Sequence, residues 1–179
     1  LDEWDVLLNA MTQKGYTKAE LLSAGLVVQN KKGGLYDKFR NRLMLPVIDT
    51  RGDVVAFGSR VLDKSEPKYM NSSETPVYSK RRVLYGLNLA KKSKRPNIIL
   101  CEGNLDIVTL HQAGFDNAVA SMGTALTIEQ TRLLSRFTKE LVLCYDNDNA
   151  GKLATQRALD LLNGSEFSVK VLQLPRRLV

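Results

Sequence analysis

Cysteine and histidine are almost absent. The 179 residues hold two cysteines, Cys101 and Cys144, and one histidine, His111. Each cysteine lies inside an apolar run with no second cysteine at short spacing, which excludes a disulfide framework and any recognisable zinc motif. Both thiols are expected to be core packing, and His111 a surface or boundary residue in mid-helix. Long hydrophobic runs are also missing. None approaches the roughly 18 residues that a membrane span requires, and the N-terminus has no basic-then-apolar signal pattern. The expectation is a cytoplasmic chain with no membrane partner. It has no internal repeat and no low-complexity segment.

What is present is enough apolar material, 44% of residues, for one good core or two small domains. The net charge of +7 is unevenly placed. Residues 1 to 96 carry 18 Lys+Arg against 10 Asp+Glu, whereas residues 97 to 179 carry 8 against 9. A basic half next to a nearly neutral one points to a polyanionic partner for the basic half, with a solvated basic face as the plainer alternative.

The second half has the clearer organisation. Asn97 to Cys101, Asn117 to Ser121, Glu140 to Tyr145 and Phe167 to Leu174 are short apolar runs without strict alternation, as strands buried on both faces require. Helical stretches separate them. Leu105 to Ala113 is closed by Gly114, Ile128 to Phe137 is opened by Thr127 and Gln130 in capping-box spacing, and Ala150 to Asn163 is closed by Gly164. Strand and helix in alternation predict a parallel sheet with right-handed crossovers, whose sites form beyond the carboxyl ends of the strands. Glu102 follows the first strand, and Asp146 and Asp148 follow the third, so the three carboxylates are expected at one edge.

In extended backbone residues i and i+2 project to one side, so Asp146 and Asp148 are expected to act together with Asn147 turned away. Carboxylates meeting without a cation repel and force protonation. Mg²⁺ or Mn²⁺, hard ions that accept few carboxylates and keep waters, would resolve that conflict. An EF-hand reading fails, since Ala150 and Arg157 stand where that loop needs ligands. A lone D-x-D is otherwise a common turn or helix cap, and Glu102 at a second strand end is what favours a metal.

Three motifs in the second half, C-E-G-N-L-D (101 to 106), A-V-A-S-M-G-T-A-L-T (118 to 127) and Y-D-N-D-N-A-G (145 to 151), together resemble the Toprim domain of bacterial DnaG-type primases. Upstream, K-Y-M-N-S-S-E-T-P-V-Y-S-K (68 to 80) followed by L-Y-G-L (84 to 87) is similar to that family's basic N-terminal subdomain, as are F-R-N-R-L-M-L-P-V-I-D (39 to 49) and V-V-A-F-G-S-R-V-L (54 to 62). The resemblance covers nearly the whole chain. It implies that Glu102, Asp146 and Asp148 are the catalytic carboxylates and bind the metal ions, with Asp106 supporting them. Asp106 also suits the first turn of a helix on macrodipole grounds alone. The resemblance further associates Lys68 and Lys80 with nucleotide or template handling and fits Arg40, Arg42 and Arg60 to a basic groove, with a solvated surface as the alternative for each. Asn71 lies between the two lysines, where turn chemistry around Pro76 is the alternative.

The implied activity is DNA-templated synthesis of short RNA primers by nucleotidyl transfer from ribonucleoside triphosphates. The implied partners are a single-stranded DNA template, ribonucleoside triphosphates and the RNA primer. The sequence departs from the family in that Leu174-Pro175 is followed by Arg176, Arg177, Leu178 and Val179 and not by a further acidic run, and in lacking the family's zinc-binding domain and the domain that binds the replicative helicase. It therefore reads as a monomeric fragment with weak metal affinity and slow or absent primer synthesis. Two other readings stay open: a single-stranded DNA-binding module with an incomplete, inactive metal site, and another Toprim enzyme such as a nuclease or topoisomerase.

The first half is expected to be mixed α+β. Trp4 to Lys14 is predicted helical, and Thr17 with Glu20 opens a short helix ended by Gly25. Leu43 to Asp49 and Val54 to Leu62 bracket T-R-G-D, a hairpin signal. Lys91 to Pro96 is the linker candidate. The expected class is α/β, with a mixed basic subdomain over 1–96 and a Toprim-type parallel-sheet subdomain over 97–179.

Overall fold

Helix α1 (Val6–Gln13) starts two residues after the predicted Trp4, because its first backbone N–H groups find their acceptor far away in sequence. Buried Asp37 accepts from Leu7 N at 2.6 Å and from Leu8 N at 2.9 Å, supplying the cap that Asp5 does not. The structure, a computed structural model, describes residues 3–173. Helix α2 (Lys18–Ser23) has the capping box expected of Thr17 and Glu20. The pair β1 (Val27–Gln29) and β2 (Leu35–Asp37) is antiparallel, and Leu8, Leu21 and Val27 form the small core beneath it. A three-stranded sheet follows, with β3 (Arg42–Ile48), β4 (Val54–Val61) and β5 (Tyr69–Asn71) in that spatial order. The T-R-G-D turn between β3 and β4 is closed by Asp49, whose Oδ1 accepts from the backbone of Arg51, Gly52 and Asp53. Gly52 there adopts φ +105°, a value open to glycine.

The second unit is built on β6 (Leu84–Tyr85), α3 (Leu87–Ala90), β7 (Asn97–Cys101), α4 (Asn104–Gln112), β8 (Ala118–Ser121), α5 (Ile128–Leu134), β9 (Glu140–Leu143), α6 (Asn149–Leu162) and β10 (Ser168–Val171). The sheet order is β10-β9-β7-β8-β6. The first four strands are parallel to one another and β6 runs antiparallel at the edge, so the parallel sheet expected from strand–helix alternation is present. Its core contains Leu100, Val119, Leu134, Leu141 and Leu143, all fully buried, with Ala158 and Leu162 of α6 packed on one face.

Packing divides the chain differently from charge. One compact unit runs through Pro46 and resumes over Val55–Ser79; the other comprises Val47–Val54 and the chain from Lys80 onward. Residues 80–96, placed by composition with the basic half, therefore pack with the parallel sheet. The physical reason is β6, which pairs with β8, and buried Gln130, which donates to the carbonyls of Lys80 and Val83 at 2.9 Å each. The predicted strand over Phe167 to Leu174 is shorter as observed, and Leu174, Pro175 and the residues after them lie outside the described part.

Candidate active site

β7 and β9 are neighbours at the centre of the sheet, and their carboxyl ends carry the acidic residues. Glu102, the residue after β7, is half-buried and accepts a hydrogen bond from the backbone N–H of Asp146. Its Oε1 is buried and has no hydrogen-bond partner. Burial pushes the Glu102 carboxyl above its usual range, and the nearby charges of Asp146, Asp148 and Asp106 push in the same direction against that one N–H. Asp106, in the first turn of α4, accepts from Gly103 N at 3.1 Å. Its carboxyl is likewise raised, by burial first and by the charge of Asp146 second.

Asp146 and Asp148 lie beyond the end of β9 and are exposed. Asp146 and Asn147 border the same small cavity, of about 110 Å³, together with Lys152. Asp148 is the N-cap of α6, its Oδ1 accepting from Gly151 N at 2.8 Å. The D-x-D pair is thus a helix cap and an acidic edge at once. Among the described residues, no three Asp, Glu, His or Cys side chains stand close enough to hold one metal ion. The structure brings the four carboxylates within electrostatic reach of one another without gathering them into a closed ligand set. Their chemistry still fits a hard, oxygen-liganded cation, because an unpartnered buried carboxylate oxygen flanked by like charges is what such an ion satisfies.

Gly151 explains the rest of the motif. A Cβ at this position would sit 2.0 Å from the carbonyl oxygen of Asp146 and 2.9 Å from its nitrogen. Only glycine lets the start of α6 approach the backbone that carries the first aspartate. The spacing D-x-D-x-x-G therefore records a close approach of loop and helix.

Glu102 also borders a cavity of about 320 Å³ whose other walls include Ser121, Thr124, Tyr145, Ala150 and Arg157. The Tyr145 hydroxyl has its pKa raised, by burial first and then by the charge of Glu102. Directly behind this edge, Cys101 and Cys144 are in contact. They share an apolar cluster with Ile107, Ala118 and Ala120, and a hydrogen bond between the two thiols raises the pKa of Cys101, as does its burial. Core packing describes Cys101, but Cys144 is only partly buried.

The predicted basic residues have different surroundings. Arg40 is held inside its own unit, 4.0 Å over the Trp4 ring and 5.1 Å over Tyr36, and it donates to the Asp37 carbonyl. Arg42, at the start of β3, has a buried Nη1 with no hydrogen-bond partner. Arg60 on β4 is paired across the ladder with Tyr69 on β5, its guanidinium 5.5 Å from the ring, and the Lys68 ammonium lies 5.7 Å from the same ring. Asn71 stands opposite Gly58 on the same two strands, and the Lys80 carbonyl is tied to Gln130. The exposed Tyr69 ring between two cations is a feature that reading charge alone missed. Its signal was the Lys68-Tyr69 dipeptide inside the K-Y-x-N motif.

Comparison with known proteins adds the family. Residues 1–91 match the family described as "DNA primase catalytic core, N-terminal domain", and residues 99–178 match the family described as "Toprim-like". The DNA primase of Clostridium acetobutylicum is 49% identical over 97% of this chain, and that of Deinococcus radiodurans is 43% identical over 97%. The chain spans 29% and 31% of those two relatives' lengths. Among solved structures, the E. coli primase catalytic core is 38% identical with a TM-score of 0.89, over 98% of this chain and 57% of that one. A DnaG primase catalytic domain bound to single-stranded DNA is also 38% identical, with a TM-score of 0.88, over 97% and 58%. The two family matches, which together cover most of the chain, and the identity and shared fold with these relatives lead to one assignment: the chain belongs to the DnaG-type DNA primase catalytic-core family.

Proposed function

We propose that this chain serves DNA-templated synthesis of short RNA primers by metal-dependent nucleotidyl transfer, with Glu102, Asp146 and Asp148 as its metal-holding carboxylates. The observation that carries this reading is the buried, unpartnered Oε1 of Glu102 amid like charges at the carboxyl end of β7. Mg²⁺ or Mn²⁺ bound there would acidify a primer 3′-hydroxyl and neutralise charge on the departing pyrophosphate. Glu102 offers the unsatisfied oxygen and Asp146 an exposed one. Asp148 spends one oxygen on the α6 cap and leaves the other for the cation. Asp106 steadies the turn after Glu102 through the Gly103 N–H.

In this reading the basic residues of 1–96 handle the template and residues 97–179 hold the metal, although 80–96 pack with the parallel-sheet unit. Arg60, Lys68 and Tyr69 offer phosphate contacts beside a stacking ring, which suits a single strand with little sequence preference. Asn71 extends that strip, Arg42 offers an unsatisfied donor, and Arg40 and Lys80 add positive field. The substrates are ribonucleoside triphosphates on a single-stranded DNA template in the bacterial cytoplasm, and the chain works as a monomer, the replicative helicase being met through sequence outside these 179 residues. No described helix is long and apolar enough to cross a membrane.

Primer synthesis from labelled ribonucleotides, by a whole primase carrying this segment, tests the reading. Asp146→Asn should abolish product while leaving template binding in place, and retained synthesis would refute the assignment. The absence of three converging ligands among the described residues favours one second reading, a single-stranded DNA-binding module with an incomplete metal site. Saturable Mn²⁺ binding that disappears in Glu102→Gln distinguishes the first from the second.

A further inference from the structure

The ladder between β7 and β9 runs in register from Asn97 opposite Glu140 to Leu100 opposite Leu143. It continues one step further, since Cys144 N donates to the Leu100 carbonyl at 2.9 Å. Cys101 and Cys144 therefore stand side by side on adjacent parallel strands and project to the same face, into one cluster with Ile107, Ala118 and Ala120. Neighbouring strands lie about 4.8 Å apart, within the span of about 4.4–6.8 Å that disulfide-bonded Cα atoms adopt. Cys101 is 2% exposed, whereas Cys144 is accessible in part. One thiol can be reached from solvent, and the other waits behind it.

We infer that Cys101 and Cys144 form a dithiol site that closes reversibly to an intrachain disulfide, with hydrogen peroxide as oxidant and a small-molecule thiol as reductant. The partly accessible Cys144 sulfur attacks one peroxide oxygen, breaking the O–O bond, to give the sulfenic acid and one water. The Cys101 sulfur then attacks the Cys144 sulfur, the S–O bond breaks, and the hydroxyl leaves as a second water with the Cys101 proton. Two electrons pass from the two thiols to one peroxide, and a reducing thiol returns them by exchange. Directly opposed positions in a parallel ladder are not the relaxed setting for this bond, which makes it easily reduced and suited to a transient modification. The bond would tie together the ends of β7 and β9 immediately before Glu102 and two residues before Asp146. That consequence for the carboxylate edge rests on the metal reading above; the bond itself does not.

The test needs no activity. The chain is exposed to a small excess of peroxide, unreacted thiols are alkylated, and the product is weighed and mapped. The expected product is a monomer that has lost two hydrogens, accepts no alkyl group, yields one peptide joining Cys101 to Cys144, and regains two alkylatable thiols after dithiothreitol. Cys101→Ser should stop at a dimedone-reactive sulfenic acid on Cys144, and Cys144→Ser should leave Cys101 unoxidised at the same dose. Phenylarsine oxide supplies a check on the unaltered protein: one equivalent should protect both thiols from alkylation. Two alkylatable thiols after peroxide, interchain products alone, or failure of the arsenical to protect the pair would each overturn the inference. A bond that forms without altering Mn²⁺ affinity would uphold the site and separate it from the metal reading.

Discussion

The two units of this chain solve the problem of like charges in opposite ways. In the N-terminal unit cations sit over aromatic rings, Arg40 over Trp4 and Tyr36 and Arg60 with Lys68 over Tyr69, so positive charge is spread against π faces. In the parallel-sheet unit Glu102, Asp106, Asp146 and Asp148 crowd one strand edge, with backbone N–H groups from Asp146, Gly103 and Gly151 as their protein partners. The ring-backed cations of the first arrangement can meet a polyanion without rearranging, although Arg42 of the same unit keeps a buried Nη1 unpaired. The second arrangement keeps a buried Glu102 oxygen unpaired among like charges. An unsatisfied carboxylate edge needs an outside cation, whereas the aromatic-backed cations need none; the two regions thus differ in how strongly ligand should alter their stability.

The largest effect that would sharpen this contrast concerns metal. Glu102→Gln together with Asp146→Asn should lower Mn²⁺ affinity about 100-fold or more, as calorimetry would read, a loss on the scale of about 3 kcal/mol. Single-stranded DNA affinity should hardly change and should keep falling with salt, by a log-log slope of about −0.7 per neutralised phosphate. Unaltered Mn²⁺ binding would break the comparison. Next in size is Gly151→Ala, whose Cβ would collide with the Asp146 backbone; a loss of about 2–4 kcal/mol in denaturant unfolding is expected. A smaller cost, about 2 kcal/mol, is expected of Asp37→Ala, which strips two N–H groups of α1 of their acceptor. It should weaken the N-terminal unit and leave Mn²⁺ binding intact.

Asp148 distinguishes cap from ligand. Asp148→Ala should cost about 1 kcal/mol, while Asp148→Asn, a comparable cap, should be nearly neutral in stability yet weaken Mn²⁺ binding equally. Equal stability losses in both would deny the cap. The smallest effect is a pH dependence. Because the folded-state pKa of Glu102 is raised above its unfolded value, its contribution favours the fold fully below the ordinary carboxylate pKa of about 4.3 and is lost as pH rises through the raised value. Glu102→Gln should therefore raise the Tm modestly at neutral pH without metal, and the gain should vanish near pH 4 and shrink when Mn²⁺ is added. A gain that grows on acidification would reverse the assigned sign.

Much of this molecule is written in local pattern. The buried strands Asn97–Cys101 and Glu140–Leu143, the capping boxes at Thr17 and Thr127, the T-R-G-D turn and the parallel sheet all follow from apolar runs, caps and glycines that act over a few residues. So does the position of Glu102, Asp146 and Asp148 at one sheet edge, because parallel topology puts every strand's carboxyl end on the same side. Tertiary structure decided what depends on partners distant in sequence: Asp37 capping α1, Gln130 drawing residues 80–83 into the sheet unit, Gly151 required by the Asp146 backbone, and Arg40 committed to two rings. It also decided the cysteines. Cys101 and Cys144 are far apart along the chain and look like two separate core residues, yet the register of β7 against β9 sets them side by side. Hydrogen-bonding reach and close packing depend on distances that only the folded backbone sets, whereas burial pattern and helix caps are local in sequence and can be read from it.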